Sequence, residues 1–375
     1  MAPTLQNRDR QEAARRPTEV ATHFPGVPAS PNPLSRLGRD GRGEGVPAAR
    51  QPTRLLEFPV SAFTSRPYAG DGDFLAILDF ARNQSLARLP NLTYWQPGDV
   101  VWRLLSVPGY DPPTWVRLWF DQQGLAAVAF FEPPLVIDFD VRVSLFDPEP
   151  LYEEVLAWAE EHRRRTLAAG GSIPKAYEGL GADTITTAAL ESDTRITGFL
   201  LRSGYAPGDR HEVRYSLDLA AWEPSGRAPA PLRVRSVAEN DLDERVDLHR
   251  DAWSVWGLSR FNRTAYERIR ATTGYDETLD LVLDDGTGRL LSYCIAWADQ
   301  ESGIGVFEPV GTRPEFAGRG LGRFAIMEGL LRMKERGLHT ALIGTASINT
   351  RALRLYPKCG FAFAEKQQSW VKRLA

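Results

Sequence analysis

From Leu55 onward the apolar positions fall into two spacings, and the switches between them mark the elements. After Arg66-Pro67-Tyr68 and a polar turn, apolar residues at helical spacing predict a helix near residues 72–82. Four runs rich in β-branched and aromatic residues follow: Val100–Val107, Trp115–Phe120, Leu125–Phe131 and Leu135–Val143. Pro-Gly, Asp-Pro-Pro and Gln-Gln-Gly turns punctuate them, and they predict strands. A helix is predicted from Pro150 to Thr166. Asp193 suits the N-cap of a shorter helix through Arg202 that stops at Gly204, and His211–Leu219 predicts a strand.

The Pro-rich stretch Ala221–Pro231 reads as a linker. After it the same order of elements begins again. Leu232–Val237 predicts a strand and Asp241–Ser254 a helix. Strands Leu279–Asp284 and Leu291–Trp297 are joined by a Gly-rich turn, and strand Val306–Thr312 leads through another into a helix with an apolar stripe at Phe324, Met327, Leu330 and Leu331. Gly337 stops that helix, and a strand is expected at Thr340–Thr345. The pattern is that of a divergent tandem repeat of one α/β unit, with expected domains at 54–220 and 232–375 and the linker at 221–231. Residues 1–53, rich in Arg, Pro, Gly and Ala, lack the large apolar residues that would offset their ordering entropy, so a disordered arm is expected there. Arg15 and Arg16 are a thin basis for a nucleic-acid tether.

Composition narrows the function classes. The 375 residues are 43% hydrophobic and 25% charged, with a formal net charge of -3. The pI of about 6.1 gives no global pull toward nucleic acid or anionic membrane. Two cysteines, Cys294 and Cys359, make no disulfide framework, and no Cys/His cluster has metal-ligand spacing, so no metal is expected. No apolar run reaches the roughly 18–20 residues that span a bilayer, and no secretory signal is apparent, so a cytoplasmic location follows by elimination.

The most informative segment is Val310-Gly311-Thr312-Arg313-Pro314-Glu315-Phe316-Ala317-Gly318-Arg319-Gly320-Leu321-Gly322-Arg323. Glycines let backbone N–H groups converge at a helix N-terminus, whose partial positive charge favours an anion; Arg319 and Arg323 add formal charge. A diphosphate is the natural guest. No Lys-Ser or Lys-Thr follows, as a Walker loop requires, and the spacing is not that of a dinucleotide fingerprint.

This loop resembles the acetyl-CoA-binding loop of the GCN5-related N-acetyltransferase superfamily, Arg/Gln-x-x-Gly-x-Gly/Ala. A second segment, Asn349-Thr350-Arg351-Ala352-Leu353-Arg354-Leu355-Tyr356-Pro357-Lys358-Cys359-Gly360-Phe361, is similar to the family's later motif, Asn-x-x-Ala-x-x-Leu-Tyr-x-x-x-Gly-Phe. The tandem layout resembles that of the mycothiol synthases, although the first half carries no acceptor over. The resemblance implies tandem domains of α/β (α+β) class, each a mixed, mostly antiparallel sheet flanked by helices. It also implies acetyl-CoA as cosubstrate and N-acetyl transfer in a ternary complex to a primary amine of a small molecule. Ala317, Gly318, Arg319, Gly320, Leu321, Gly322 and Arg323 would hold the cofactor's diphosphate. The Val310 N–H would polarise the thioester carbonyl, Thr312 backbone groups would bind pantetheine, Asn349 would contact cofactor or ordered water, and Tyr356 would protonate the departing thiolate. Glu308, beside the transfer point, is the candidate general base, with His249 a weaker one. Trp253, Trp256 and Tyr293 suit core packing as well as an acceptor pocket.

Two departures stand out: Ala317 replaces the family's Arg or Gln, and Pro357 follows the tyrosine inside a short helix. The first half lacks the glycine loop. Asp147 and Glu149 stand where a diphosphate would dock, and Leu200 replaces the tyrosine, so this half is expected to be a degenerate, non-catalytic copy. The competing readings are an acyltransferase for a peptide or protein N-terminus and a non-catalytic CoA-binding or interaction module.

Overall fold

The computed structural model describes residues 63–90, 92–169, 180–181, 183–257 and 259–374. The arm expected at 1–53 lies outside them. The first half runs β1 (Thr64–Pro67), α1 (Asp71–Arg88), α2 (Pro97–Leu105), α3 (Pro112–Trp115), β2 (Val116–Asp121), β3 (Gly124–Glu132), β4 (Val136–Val141), α4 (Glu149–Ala168), β5 (Thr184–Leu190), α5 (Thr194–Arg202) and β6 (Ala206–Asp218). The second runs β7 (Arg233–Ser236), α6 (Leu242–Trp253), α7 (Arg263–Arg270), β8 (Asp280–Asp284), β9 (Leu290–Asp299), β10 (Ile304–Thr312), α8 (Leu321–Glu335), β11 (Thr340–Ala346), α9 (Thr350–Leu355) and β12 (Ala362–Arg373).

Among the described residues, all twelve strands join one sheet in the order β1-β2-β3-β4-β5-β12-β6-β11-β10-β9-β8-β7. The long final strand of each half sits beside the other half. β12 pairs antiparallel with β5, β6 pairs antiparallel with β11, and the two pair with each other. Parallel pairing occurs at equivalent places in the two halves, β4 with β5 and β10 with β11. The linker separates the halves in sequence, while the exchanged strands bind them into a continuous hydrogen-bonded sheet.

The two faces of the sheet are packed differently. On one face α1, α2, α6 and α7 share a single core, in which Val100, Val101 and Leu104 of α2 meet Tyr266 of α7 and Tyr293, Ile295 and Trp297 of β9. Gly98 allows this closure, because a Cβ there would lie 2.2 Å from Trp297 Cγ. On the other face each half keeps its own core, around α4 and α5 in the first and α8 in the second.

Val100–Val107, expected as a strand, is helix α2. Its β-branched pair suggested extended backbone, but Pro97 stands at the first turn and the Asp99 carboxylate accepts from the Gln96 N–H at 2.7 Å. Burial of Val100, Val101 and Leu104 against both halves then outweighs intrinsic propensity. The apolar stripe of α8 is rotated from the expected one. Met327 and Leu330 are buried as expected, together with Ala325, Ile326, Gly329 and Met333, while Phe324 and Leu331 lie at the margin. The other expected helices and strands appear with shifted ends.

Candidate active site

β10 and β11 run parallel only from Ile304↔Thr340 to Phe307↔Ile343, and beyond that they separate. A bulge between Phe307 and Val310 resets β10 against β9. Past the bulge, Arg313 N–H donates to Leu291 O at 3.0 Å on the β9 side. Strand alternation therefore turns the backbone groups of Val310 and Thr312 away from β9, into the gap. Pro309, with no N–H to pair, sits at the disruption. The gap is thus lined by unpaired main-chain donors and acceptors.

The chain then leads to the N-terminus of α8. Gly318 and Gly320 have φ of 81° and 76°, left-handed values that favour glycine, and Gly320 is the N-cap. Ala317, Gly318, Arg319, Gly320 and Leu321 surround the first turn at the surface or its margin; the Ala317 N–H is held by Pro314 O at 3.2 Å, while the N–H groups at the start of a helix have no i−4 carbonyl to bond. Gly322 is buried: a Cβ would meet Thr312 Oγ1 at 3.2 Å and Leu355 Cδ2 at 3.3 Å, so α8 packs tightly on the end of β10. The arginines are held to the side. Arg319 lies over the Phe316 ring at 5.3 Å, as does Arg289 at 5.2 Å. Arg323 Nη2 donates to Ser225 Oγ at 2.7 Å and so fastens the linker.

Beyond β11, Asn349 caps α9, its Oδ1 accepting from Ala352 N–H at 3.3 Å while its amide donates to Thr345 Oγ1 at 3.0 Å. Both side-chain groups are thus engaged in shaping the end of β11. Tyr356 begins a short 3-10 turn with Pro357 second, and is only 5% exposed. Its ring meets Tyr215 edge-on at 5.7 Å. Burial first, then the Glu308 carboxylate, push its hydroxyl well above the ordinary range.

Glu308 faces the cleft roofed by α2. Its carboxylate makes no hydrogen bond or ion pair among the described residues, while its carbonyl accepts from Trp297 Nε1 at 2.6 Å. Burial pushes its pKa up to about 8, helped by Asp99 and Glu212 and opposed by Arg103 and Arg214. Asp99 is pushed to about 6, chiefly by burial. Arg103 pairs with Asp138 at 2.7 Å, and Arg214 donates to Thr93 O at 2.8 Å.

Other sequence candidates fall elsewhere. His249 is buried, its Nδ1 2.6 Å from Tyr293 Oη, with Trp253 Nε1 donating to the same hydroxyl at 2.9 Å; burial holds the imidazole well below its usual range. His249 and Tyr293 belong to the shared core. Cys359 is buried and its thiol is pushed up to about 12, which removes it as a nucleophile. No metal-holding group of His, Cys, Asp and Glu occurs among the described residues. Asp99, Arg103, Glu212 and Arg214 were not singled out from sequence. Strand exchange and the α2 roof bring them to Glu308, and neither leaves a local signal.

A parallel strand pair recurring along one sheet, opening in the second half beside a glycine-capped helix, is the arrangement of the GCN5-related tandem fold. The tandem GNAT protein from the clavulanic acid biosynthesis pathway matches with a TM-score of 0.55 at 15% identity, covering 82% of this chain and 98% of that one. A GCN5-related N-acetyltransferase from Sphaerobacter thermophilus matches with a TM-score of 0.54 at 18% identity, covering 84% and 96%. Residues 243–361 match the model of the Acetyltransferase (GNAT) family. The mycothiol acetyltransferase of Acidimicrobium ferrooxidans is 33% identical over 232 residues, 59% of this chain and 63% of that protein. That of Tsukamurella paurometabola is 30% identical over 166 residues, 41% and 56%. The chain spans about half the length of the curated relatives it matches; for the Nocardia farcinica protein, 43% identical over 65 residues, the match covers 22% of the relative. Among the described residues, no helix is long and apolar enough to cross a membrane.

Proposed function

We propose that the chain is an acetyl-CoA-dependent N-acetyltransferase acting on a primary amine of a small molecule in a ternary complex. One observation supports the reading: in the GNAT-matched segment β10 parts from β11 past Phe307 and leads into the glycine-capped N-terminus of α8, with Glu308 at the parting. In this reading residues 317–323 receive the diphosphate on backbone N–H groups, and Thr312 backbone groups pair with pantetheine. Val310 N–H polarises the thioester carbonyl as an oxyanion donor would. Glu308 takes the proton from the acceptor ammonium, the neutral amine attacks the carbonyl carbon, the C–S bond breaks, Tyr356 gives its proton to the thiolate, and the proton lost by the attacking nitrogen as it becomes the amide returns to Tyr356. Asn349 acts through Thr345 and the cap of α9. Residues 54–220 and 232–375 are the two repeats joined by the linker, with the first repeat non-catalytic. Two buried free thiols suit a cytoplasmic setting.

The test is CoA release from acetyl-CoA by the full chain across a panel of primary amines. Release that depends on the amine and is lost in Gly320→Asp supports the reading; no release with any amine, despite CoA binding, overturns it.

A further inference from the structure

The cleft facing Glu308 is built by both halves of the chain, and its chemistry is one-sided. α2 of the first half contributes Asp99 and Arg103, one helical turn apart. β6, the strand lent to the second half, contributes Glu212 and Arg214, which alternation places on the same sheet face. Arg103 is already held by Asp138 at 2.7 Å and Glu132 at 4.0 Å. Arg214 is shared between Thr93 O and Glu212, whose carboxylate lies at 3.5 Å. Asp99, Asp138 and Glu212 thus stand against two guanidiniums, Arg103 and Arg214, around Glu308.

Glu212 is set for a particular position. In the β6–β11 register Gly344 pairs with Arg214, and a Cβ on Gly344 would lie 2.2 Å from Glu212 Oε1. The carboxylate therefore lies over the glycine that follows Ile343, the last β11 residue paired with β10, beside the mouth of the gap. Independently, Gln367 of β12 pairs in register with Glu212 and shares its face. Gln367 is 6% exposed, and its Oε1, an acceptor only, has no hydrogen-bond partner. Thr93, 2% exposed, likewise has an unpartnered hydroxyl and supplies the carbonyl that Arg214 holds. A buried acceptor left without a donor is costly, and a donor-rich ligand relieves it.

We propose that the acceptor carries at least two ammonium groups, one presented to Glu308 for acetylation and a second held by Glu212 and Gln367 at the floor of the cleft. This rests on the acetyltransferase reading above for the reacting amine, but the second subsite is a binding site in its own right. The second ammonium donates to the Glu212 carboxylate and the Gln367 carbonyl and fixes the chain length between the reacting and anchoring nitrogens. Gly344 leaves the space in which Glu212 lies.

The experiment is calorimetric titration of the full chain, saturated with CoA, using cadaverine and pentylamine, which share a five-carbon chain and differ in the second ammonium. Cadaverine should bind about 10- to 100-fold more tightly, the worth of one charge-assisted hydrogen bond. Glu212→Gln should bring the two affinities within a few-fold of each other. Gly344→Ala, which keeps every charge but pushes the carboxylate aside, should do the same, so a folding defect in one variant leaves the other to decide. Equal affinities for the two amines, binding of neither, or a preference that survives both variants overturns the proposal. A Glu212-dependent preference without CoA release from acetyl-CoA supports the subsite and sinks the transferase reading instead.

Discussion

β4 and β10 occupy equivalent places in the two halves, and their ends are treated in opposite ways. Past β4, Arg142 N–H is tied to Ala126 O on β3 at 2.8 Å, so Val141 and Val143 turn their backbone groups toward the β5 side. There Gln84 of α1 meets them: its amide N–H donates to Val141 O at 2.8 Å, and its carbonyl accepts from Val143 N–H at 3.0 Å. Gln84 is 2% exposed. Past β10, no side chain among the described residues bridges the matching groups of Val310 and Thr312. The helix N-termini differ in the same sense. At α4 the Asp147 carboxylate accepts from Glu149 N–H at 3.2 Å, and Arg195 closes the preceding loop onto Leu145 O and Phe146 O at 2.9 and 2.8 Å. At α8 the glycines leave the first turn bare. One scaffold is closed by its own side chains where its repeat is left open, so the fold supplies the geometry and a handful of residues decides whether a ligand can use it.

The largest expected effect breaks the open end. Gly320→Asp puts a side chain on a left-handed residue and a negative charge at the anion site, and it should abolish CoA binding in calorimetric titration. Full-length wild type should bind one CoA per chain. Two sites would end the contrast between the halves.

Next in size is Tyr356→Phe, at the position where the first half has Leu200. A general acid typically contributes about 10²–10⁴-fold, so kcat should fall by that order while CoA affinity stays within a few-fold. Unchanged kcat would make Tyr356, like Leu200, a packing residue.

Gln84→Ala sharpens the closed end. It strands two main-chain groups in a buried place, and about 1–3 kcal/mol for each gives roughly 2–6 kcal/mol of lost stability, readable as a lower denaturant midpoint. The Asp147 and Glu149 charges remain, so no second CoA site should appear. A variant as stable as wild type would show that water replaces Gln84 at no cost.

Much of this contrast was legible in the sequence. Glycines at 318, 320 and 322 against Asp147 and Glu149 marked which half has the open helix end, and Asn349 and Tyr356 came at fixed spacing. These are local signals, set by backbone conformation and helix periodicity. Gln84 was not legible, because its role depends on where α1 docks. Glu212 and Asp99 were hidden for the same reason: strand exchange and the α2 roof are long-range choices, made by burial of surfaces far apart in the chain. The α2 error shows the rule failing locally too. Val100 and Val101 suggest extended backbone, whereas in the molecule Pro97 and Asp99 start a helix and tertiary packing keeps it.

The smallest effect tests the carboxylates near the two strand ends. Asp140, 3% exposed, accepts from Val141 N–H at 2.8 Å and has Arg88 at 3.4 Å; burial pushes it to about 6. Glu308 has no such partner and is pushed to about 8 from an ordinary 4.5, first by burial and then by Asp99 and Glu212, against Arg103 and Arg214. The folded state therefore holds a proton on Glu308 that the unfolded chain releases. The stability tied to that proton is fully present below pH 4.5 and is lost as pH rises through about 8. Glu308→Gln removes that loss. Its melting temperature should match wild type near pH 4 and exceed it by a few degrees at pH 9, with the gain growing between those limits. Asp140→Asn should instead lower stability at neutral pH, because it leaves Arg88 with one counter-charge fewer. The activity profile carries the same signature. Wild-type kcat/KM should rise through an inflection near pH 8 as the Glu308 carboxylate becomes available. Glu308→Gln should lose that inflection, recovering only as the free amine itself deprotonates. A pH-independent loss of activity, with no gain in stability at pH 9, would mean that Glu308 holds the bulge between Phe307 and Val310 rather than accepting a proton.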